Sequence, residues 1–345
     1  MPRRRGDGHR LIRWLWTSGR LDARAARAAL LPAGGLWRLG MNVRTLAYRR
    51  GWFATHELPL PTIAIGNLTV GGSGKTPIAG WVAEHYLASG HRPGILLRGV
   101  GGDETLVHRE ALPGAVVVPN ADRRAGAIEA VAQGADVLVL DDAFQRLDVA
   151  RDLNICVVSA ETRRAVRWPL PAGPWRESPV ALERADALIV TRKRADLATA
   201  QSVAEEFGRM VRGPTAIARL DLAVLRGLVS GVERPVASLE GKRVVAASAI
   251  ADPDAFVTQL KRTGAQVQVA TWKDHHQFRD EDVAWLAHAS RRADHVVMTA
   301  KDAVKLRTRW PVSVPEPLVA TLAVTFESGE AILREALDLV VARLH

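Results

Sequence analysis

Thr62-Ile63-Ala64-Ile65-Gly66-Asn67-Leu68-Thr69-Val70-Gly71-Gly72-Ser73-Gly74-Lys75-Thr76-Pro77 decides the fold class of this chain. A β-branched apolar run enters a glycine-rich turn, and an amphipathic helical pattern over 78–89 follows. Strand, glycine turn and helix N-terminus is the order that points backbone N–H groups at a phosphate chain. Glycines let the backbone approach, Lys75 neutralises the outer phosphates, and the Thr76 hydroxyl can coordinate Mg²⁺. The motif is a variant. The first glycine of G-x-x-x-x-G-K-[ST] would fall at Thr69, which leaves Gly71, Gly72, Ser73, Gly74, Lys75 and Thr76 as the phosphate cradle. An ordinary glycine turn is the alternative reading, and the position between a strand and a helix speaks against it.

Outward from this loop, short β-branched runs alternate with longer helical patterns, the rhythm of a doubly wound, mostly parallel α/β sheet of the P-loop NTPase type. Strands are expected at 62–66, 94–97, 115–118, 136–140, 153–158 and 187–191. The run 137–140 ends in Asp141 and Asp142. Carboxylates at such a strand end hold Mg²⁺ in P-loop enzymes, although a turn or a helix cap uses the same residues. After about residue 210 the chain passes through an extended ribbon and resumes the α/β rhythm. Strands at 243–247, 266–270 and 295–299 alternate with helices at 253–263, 281–292 and 330–344. The expected organisation is a basic N-terminal segment over 1–56, a nucleotide-binding domain over 57–212, a linker over 213–238 and a smaller α/β lobe over 239–345.

The chain of 345 residues has a net charge of +10, and its placement is informative. Residues 1–56 hold twelve Arg and no Lys against Asp7 and Asp22, so this segment carries the whole excess. It also holds Trp14, Trp16, Trp37 and Trp52. Leu36, Leu39, Val43 and Leu46 fall on one helical stripe, with Arg38, Asn42, Thr45 and Arg49 on another. Pro32 is expected to separate this helix from an Ala/Arg-rich one at 22–31. Arg beside Trp and Leu suits an anionic membrane surface, each cation adding about 1 kcal/mol. Packing on the protein's own core is the plainer alternative. Nucleic acid is not expected, because the other residues are neutral and carry no nucleic-acid-binding signature. No apolar run reaches the length of a membrane span, and no signal peptide is evident. The single Cys156 excludes a disulfide framework and fits a reducing compartment.

Further residues follow in order: Arg98-Gly99, Gly102-Asp103-Glu104, Asp122-Arg123, Asp141-Asp142-Ala143-Phe144-Gln145, Gly173-Pro174-Trp175-Arg176-Glu177, Asp274-His275-His276 and Lys301-Asp302-Ala303-Val304-Lys305. With the glycine loop, this series resembles the tetraacyldisaccharide 4'-kinase family, the lipid A kinases, over most of the chain. The resemblance implies MgATP-dependent phosphorylation of the 4'-hydroxyl of a tetraacylated glucosamine disaccharide 1-phosphate at the cytoplasmic face of a bacterial inner membrane, with no obligate protein partner. It implies that Lys75 and Thr76 serve the phosphates and Mg²⁺, and that Asp141 and Asp142 serve the metal. Asp103 would deprotonate the sugar hydroxyl and pair with His275. Arg123 and Arg176 would be phosphate or transition-state contacts, with Glu104 and Glu177 beside them, and Gln145 would be a further residue of the site. Read without the family, Asp103 is a turn residue after glycines, and His275 lies in a solvated loop.

The sequence departs from the family pattern at several places. Val100 replaces an aromatic residue, Arg146 a histidine and Ala300 a glutamate, while Thr191-Arg192 stand for Asn-Gly. About twenty residues usual between Arg-Gly and Gly-Asp-Glu are missing, so Arg98-Gly99 nearly abuts Gly102-Asp103. The competing function is a membrane-tethered P-loop ATPase or switch without a glycolipid acceptor. A nucleotide-binding scaffold without turnover is a third.

Overall fold

The computed structural model describes residues 7–99, 102–164 and 166–342; Val100 lies outside them. Helices α1 (Asp7–Thr17) and α2 (Leu21–Arg49) come first. The alternating region then runs β1 (Thr62–Gly66), α3 (Lys75–Ala88), β2 (Pro93–Leu97), α4 (Asp103–Ala111), β3 (Val116–Pro119), α5 (Arg123–Ala132), β4 (Val137–Asp141), β5 (Leu153–Ser159), β6 (Ala187–Arg192) and α6 (Leu197–Gly208). It continues through β7 (Thr215–Gly227), β8 (Glu233–Pro235), β9 (Arg243–Ser248), α7 (Pro253–Arg262), β10 (Gln266–Thr271), α8 (Asp280–Ser290), β11 (His295–Thr299), α9 (Ala300–Leu306), β12 (Leu318–Ser328) and α10 (Glu330–Ala342). Two compact units emerge: a larger one of Leu11–Arg219 with Val324–His345, and a smaller one built on Leu220–Ala323.

In the larger unit the strand order is β7-β6-β5-β1-β4-β2-β3, with parallel pairing throughout. All residues of β1, β2, β4 and β5 are buried, as expected of strands covered on both faces. Central β1 lies between β4 and β5, with Ile65 in register with Asp141. The chain leaves β1 for β2, on the far side of β4, so the order reverses beside the C-terminal end of β1. Open α/β sheets place ligands at that crevice, and both the glycine loop and the paired aspartates lie at these strand ends.

The larger unit differs from the expected division: it takes in residues 11–56, the start of the expected linker and the C-terminal helix. Helix α10, read as part of a C-terminal lobe over 239–345, packs instead on the nucleotide-binding core. Leu333, Leu337 and Val340 recur on one helical face and join Ile63, Ile65, Ile78, Val82 and Tyr86 in a single buried cluster. Polar contacts fix the docking. The Tyr86 hydroxyl donates to the Leu337 carbonyl at 2.8 Å. His85 Nδ1 lies 2.9 Å from Arg334 Nη1, and its Nε2 lies 2.8 Å from Asp338 Oδ1. Arginine can only donate, so Nδ1 accepts and the ring proton sits on Nε2, facing the carboxylate.

Helix α2 also corrects the sequence reading. Pro32 does not divide it, and the helix runs unbroken for 29 residues. A proline inside a helix costs about 3 kcal/mol; here packing offsets it, because Ala23, Arg27, Gly34 and Ala47 are all buried. Arg27 is a structural residue: its guanidinium donates to the carbonyls of Leu15 and Ser18, each at 3.0 Å, tying the end of α1 to α2.

The smaller unit has strand order β10-β9-β11-β12-β7, parallel from β10 to β12. The ribbon expected over 213–238 is β7 itself, which belongs to the larger unit up to Arg219 and then pairs antiparallel with β8. Strand β12 was not anticipated. Core residues Val245, Trp272, Leu286, Met298 and Leu306 hold α8 and α9 against the sheet.

Candidate active site

The glycine loop leaves β1 at Gly66, where the chain has no room for a side chain. A Cβ there would stand 2.5 Å from both Cβ and N of Phe144. Gly71 and Gly74 take φ of +127° and +91°, a region closed to most other residues. Thr69, at the place of the usual first glycine, makes an antiparallel bridge with Trp175 and is not among the positive-φ residues. An extended residue there needs no glycine, which accounts for the variant motif.

Neighbours hold the loop in shape. Asn67 Nδ2 donates to the Thr69 carbonyl at 2.7 Å and to Ser73 Oγ at 2.8 Å. The Thr191 hydroxyl donates to the Ser73 carbonyl at 2.6 Å, and Lys193 Nζ to the Gly72 carbonyl at 2.8 Å. Lys193 is itself fixed by Glu161, whose Oε1 accepts the backbone N–H groups of Lys193, Arg194 and Ala195. Burial alone would raise the Glu161 carboxyl, but the Arg194 N–H, the Ser159 hydroxyl and the other two N–H groups outweigh it and hold it at about 2. The folded-state value is below the ordinary one, so this carboxylate stabilises the fold above pH 4.5 and loses its contribution as pH falls through about 2. Glu161→Gln is therefore expected to cost up to about 3 kcal/mol at neutral pH and progressively less in acid. Urea unfolding of both proteins at pH values of about 7 and about 3 checks this; an equal difference at the two would contradict it.

Asp142 is the hub of the charged groups at the loop. Its φ is +55°, and it shares with His275 the distinction of being a non-glycine in the left-handed region among the described residues. Such backbone is held only by surrounding structure and clusters at functional sites. Lys75 Nζ lies 3.5 Å from Asp142 Oδ1, and Arg176 Nη1 donates to its two oxygens at 3.1 and 3.3 Å. Gln145 joins them, accepting from Arg176 at 3.4 Å and donating to the Asn67 carbonyl at 2.7 Å. Arg176 reaches the loop because its own segment pairs with it: Val70 N–H donates to the Pro174 carbonyl, and Arg176 N–H to the Leu68 carbonyl, each at 2.8 Å. Lys75, Asp142, Gln145 and Arg176 are thus brought together.

A second group lies deeper. Asp141 Oδ2 is 3.3 Å from His108 Nε2, both side chains being buried. Arg123, expected at the phosphates, is buried and donates to the carbonyls of Asn120 and Asp141 at 2.7 and 3.3 Å. Burial lowers its guanidinium to about 10. Asp103 begins α4, is only 2% exposed, and shares that helix with His108. Glu104 follows it, half-buried. Glu177 turns away from Asp142 to Arg184, 2.6 Å distant, whose guanidinium lies over the Phe144 ring. Arg146, at the place of the family's histidine, pairs with Asp148 at 2.6 Å.

In the smaller unit, His275 and His276 have different surroundings. His276 Nε2 is 2.8 Å from Asp282 Oδ2 and its ring stacks on Trp272. His275 is half-exposed, with its N–H donating to Asp274 Oδ1 at 3.1 Å and to the Ala249 carbonyl at 3.3 Å. Asp302, fully buried, accepts from Ala249 N–H at 3.0 Å and from the Thr299 hydroxyl at 2.6 Å. The Thr-Ala-Lys-Asp sequence thereby fixes the turn on which the His275 backbone rests. Sequence reasoning missed Asn67, His108, Glu161 and Lys193. Each acts through a partner distant in sequence or through a loop carbonyl, and none stands in a recognisable spacing.

The fold and site define a P-loop α/β protein with a lysine–aspartate–arginine cluster at the phosphate loop. Comparison with known proteins narrows the class. The sequence model of the family described as Tetraacyldisaccharide-1-P 4'-kinase matches residues 26–103 and 100–342, two segments that meet where Arg98-Gly99 nearly abuts Gly102-Asp103. A tetraacyldisaccharide 4'-kinase of Geobacter metallireducens is 36% identical over 78% of this chain and 86% of its own length. That of Geobacter sulfurreducens is 33% identical over 92% and 95%. The crystal structure of LpxK from Aquifex aeolicus in complex with ATP superposes with a TM-score of 0.72 at 27% identity, covering 92% of this chain and 99% of that one. The chain belongs to the tetraacyldisaccharide-1-P 4'-kinase family; it is a kinase.

Proposed function

We propose that this kinase transfers the terminal phosphoryl group of ATP to the 4'-hydroxyl of a tetraacylated disaccharide 1-phosphate, the step that the family's name describes. The observation that carries this reading is the convergence of Lys75 and Arg176 on Asp142 beside the glycine loop. Phosphoryl transfer needs positioned cations around spreading negative charge and a group to accept the hydroxyl proton. In this reading the loop N–H groups and Lys75 bind the phosphates, and Arg176 neutralises charge on the group in flight. The sugar oxygen forms a bond to the terminal phosphorus as the bond to the bridging oxygen breaks, ADP leaves, and the hydroxyl proton passes to Asp103.

The residues fit Mg²⁺. Hydroxyl and carboxylate oxygens are hard donors, and the Asp142 side chain is 39% exposed beside the loop. Mg²⁺ keeps several waters and borrows phosphate oxygens, so one or two protein carboxylates suffice for it. Thr76, Asp142 and Asp141 would hold it. Bound there, it would neutralise the phosphates and polarise the one transferred.

The amphipathic N-terminus supports a membrane surface as the place of work. Leu36, Leu39, Val43 and Leu46 are 72, 58, 53 and 43% exposed on α2, and Trp52 and Phe53 follow them into solvent. Among the described residues no helix is long and apolar enough to cross a membrane. We read this face, with its arginines, as lying on an anionic leaflet. Replacing the four stripe residues together by Ser is expected to lower partitioning onto anionic vesicles more than about a hundredfold, since each buried Leu or Val is worth about 1.5–3 kcal/mol. Salt near 1 M, where the screening length is about 3 Å, should weaken attachment as well. Unchanged sedimentation of the variant would contradict the membrane reading.

The kinase reading is tested by incubating the protein with labelled ATP, with and without the disaccharide acceptor. Label should enter the glycolipid, with little hydrolysis in its absence. Brisk acceptor-independent hydrolysis would favour a switch ATPase instead.

A further inference from the structure

We propose that Trp37 is a positioning residue for Arg176, and that engagement of α2 with a membrane is transmitted through it to the phosphate site. This rests on the membrane reading of α2 given above. Trp37 stands on α2 next to Leu36, the first residue of the exposed stripe, and its indole Nε1–H donates to the Arg176 carbonyl at 2.8 Å. The N–H of Arg176 is bonded to the Leu68 carbonyl at 2.8 Å. Both backbone polar groups of Arg176 are therefore fixed, one by the glycine-loop segment and the other by the amphipathic helix. Its guanidinium then meets Asp142 and Gln145.

Two further contacts tie the same helical layer to the same segment. Gly34, one turn before Trp37, lies so close to Pro169 that a Cβ would stand 3.2 Å from its ring carbon. Trp16 of α1 donates its indole N–H to the Pro171 carbonyl at 3.0 Å. Residues 168–177 are thus gripped on one side by the phosphate loop and on the other by the helices that carry the exposed apolar residues. A helix is stiff along its length, so contact on the outer face of α2 bears on Trp37, near its middle, as a unit. A surface can shift the site only if it favours one placement of the helix over another, and Trp37 is the connection through which that preference would reach a phosphate-binding cation.

Trp37→Phe keeps the ring and removes the donor. In detergent, without vesicles, it is expected to lower kcat about tenfold, or about 1.4 kcal/mol, with KM for ATP and for acceptor changed less than about twofold. The same substitution in an Arg176→Ala background should cost nothing further, because the cationic side chain it positions is already gone. Equal losses in both backgrounds, or an unaltered kcat, would overturn the assignment. The membrane arm uses acceptor-free vesicles of mixed phosphatidylglycerol and phosphatidylethanolamine and reads the affinity for a fluorescent ATP analogue. Vesicles should tighten binding several-fold in the natural protein and leave Trp37→Phe unmoved, while both proteins sediment with the vesicles alike. Sedimentation without any change in nucleotide affinity would refute the coupling. Absence of sedimentation would instead refute the membrane reading and the transmission built on it, leaving the double-variant comparison in detergent to decide the Trp37–Arg176 link.

Discussion

Asp103→Asn is expected to lower kcat for acceptor phosphorylation about a thousandfold, within the range that a positioned general base contributes, while ATP affinity changes little. Asparagine keeps the size of the side chain and the start of α4 but cannot take the sugar proton. Nucleotide binding should survive because the loop is shaped by Asn67, Thr191 and Lys193, and Lys75 and Arg176 meet at Asp142. Labelled-phosphate transfer to the acceptor measures the first quantity, and titration with a fluorescent ATP analogue the second. Near-natural turnover in the variant would remove Asp103 from the reaction. Loss of nucleotide binding in step with turnover would make it a structural residue of the larger unit. A scaffold without catalysis would have no turnover to lose.

Gly66→Val is expected to be the most damaging single change in the larger unit. The missing Cβ would stand 2.5 Å from Phe144 Cβ and N, inside any real contact distance. Half of that clash is with backbone, so no side-chain rotation relieves it. Overpacking a core costs typically about 1–3 kcal/mol and more where neither partner can yield; a loss above about 3 kcal/mol is expected here. The displacement falls on the segment that carries Asp142 and Gln145, so ATP affinity should drop with stability. Urea unfolding and nucleotide titration on the same preparation test both, and a variant as stable as the natural protein would show that β1 has slack.

Much of this architecture is legible in the sequence because it is local. Buried strands read as β-branched runs, and the glycine loop announces itself between a strand and a helix. The boundaries of β1 and β11 fall where the pattern places them, at Thr62–Gly66 and His295–Thr299. What the sequence conceals depends on partners far along the chain. The apolar face of α10 is plain, but that it meets Tyr86 and Ile78 across some 250 positions is not. Pro32 looks like a helix breaker until the buried positions around it are known. The candidate site divides in the same way. Lys75, Asp142, Gln145 and Arg176 stand in motifs and meet in space, whereas His108 gives no signal before the fold sets it against Asp141.

Helix α10 has a consequence for the order in which the protein matures. Its 13 residues follow the whole of Leu220–Ala323 in sequence, yet Leu333, Leu337 and Val340 complete the apolar cluster that backs the helix following the glycine loop. Domains usually form as they leave the ribosome, N-terminal first. Here Leu11–Arg219 is made ahead of Leu220–Ala323, and the helix that completes its core is made after it. Until Glu330–Ala342 has been made and has left the ribosome, the nucleotide-binding unit lacks its final wall.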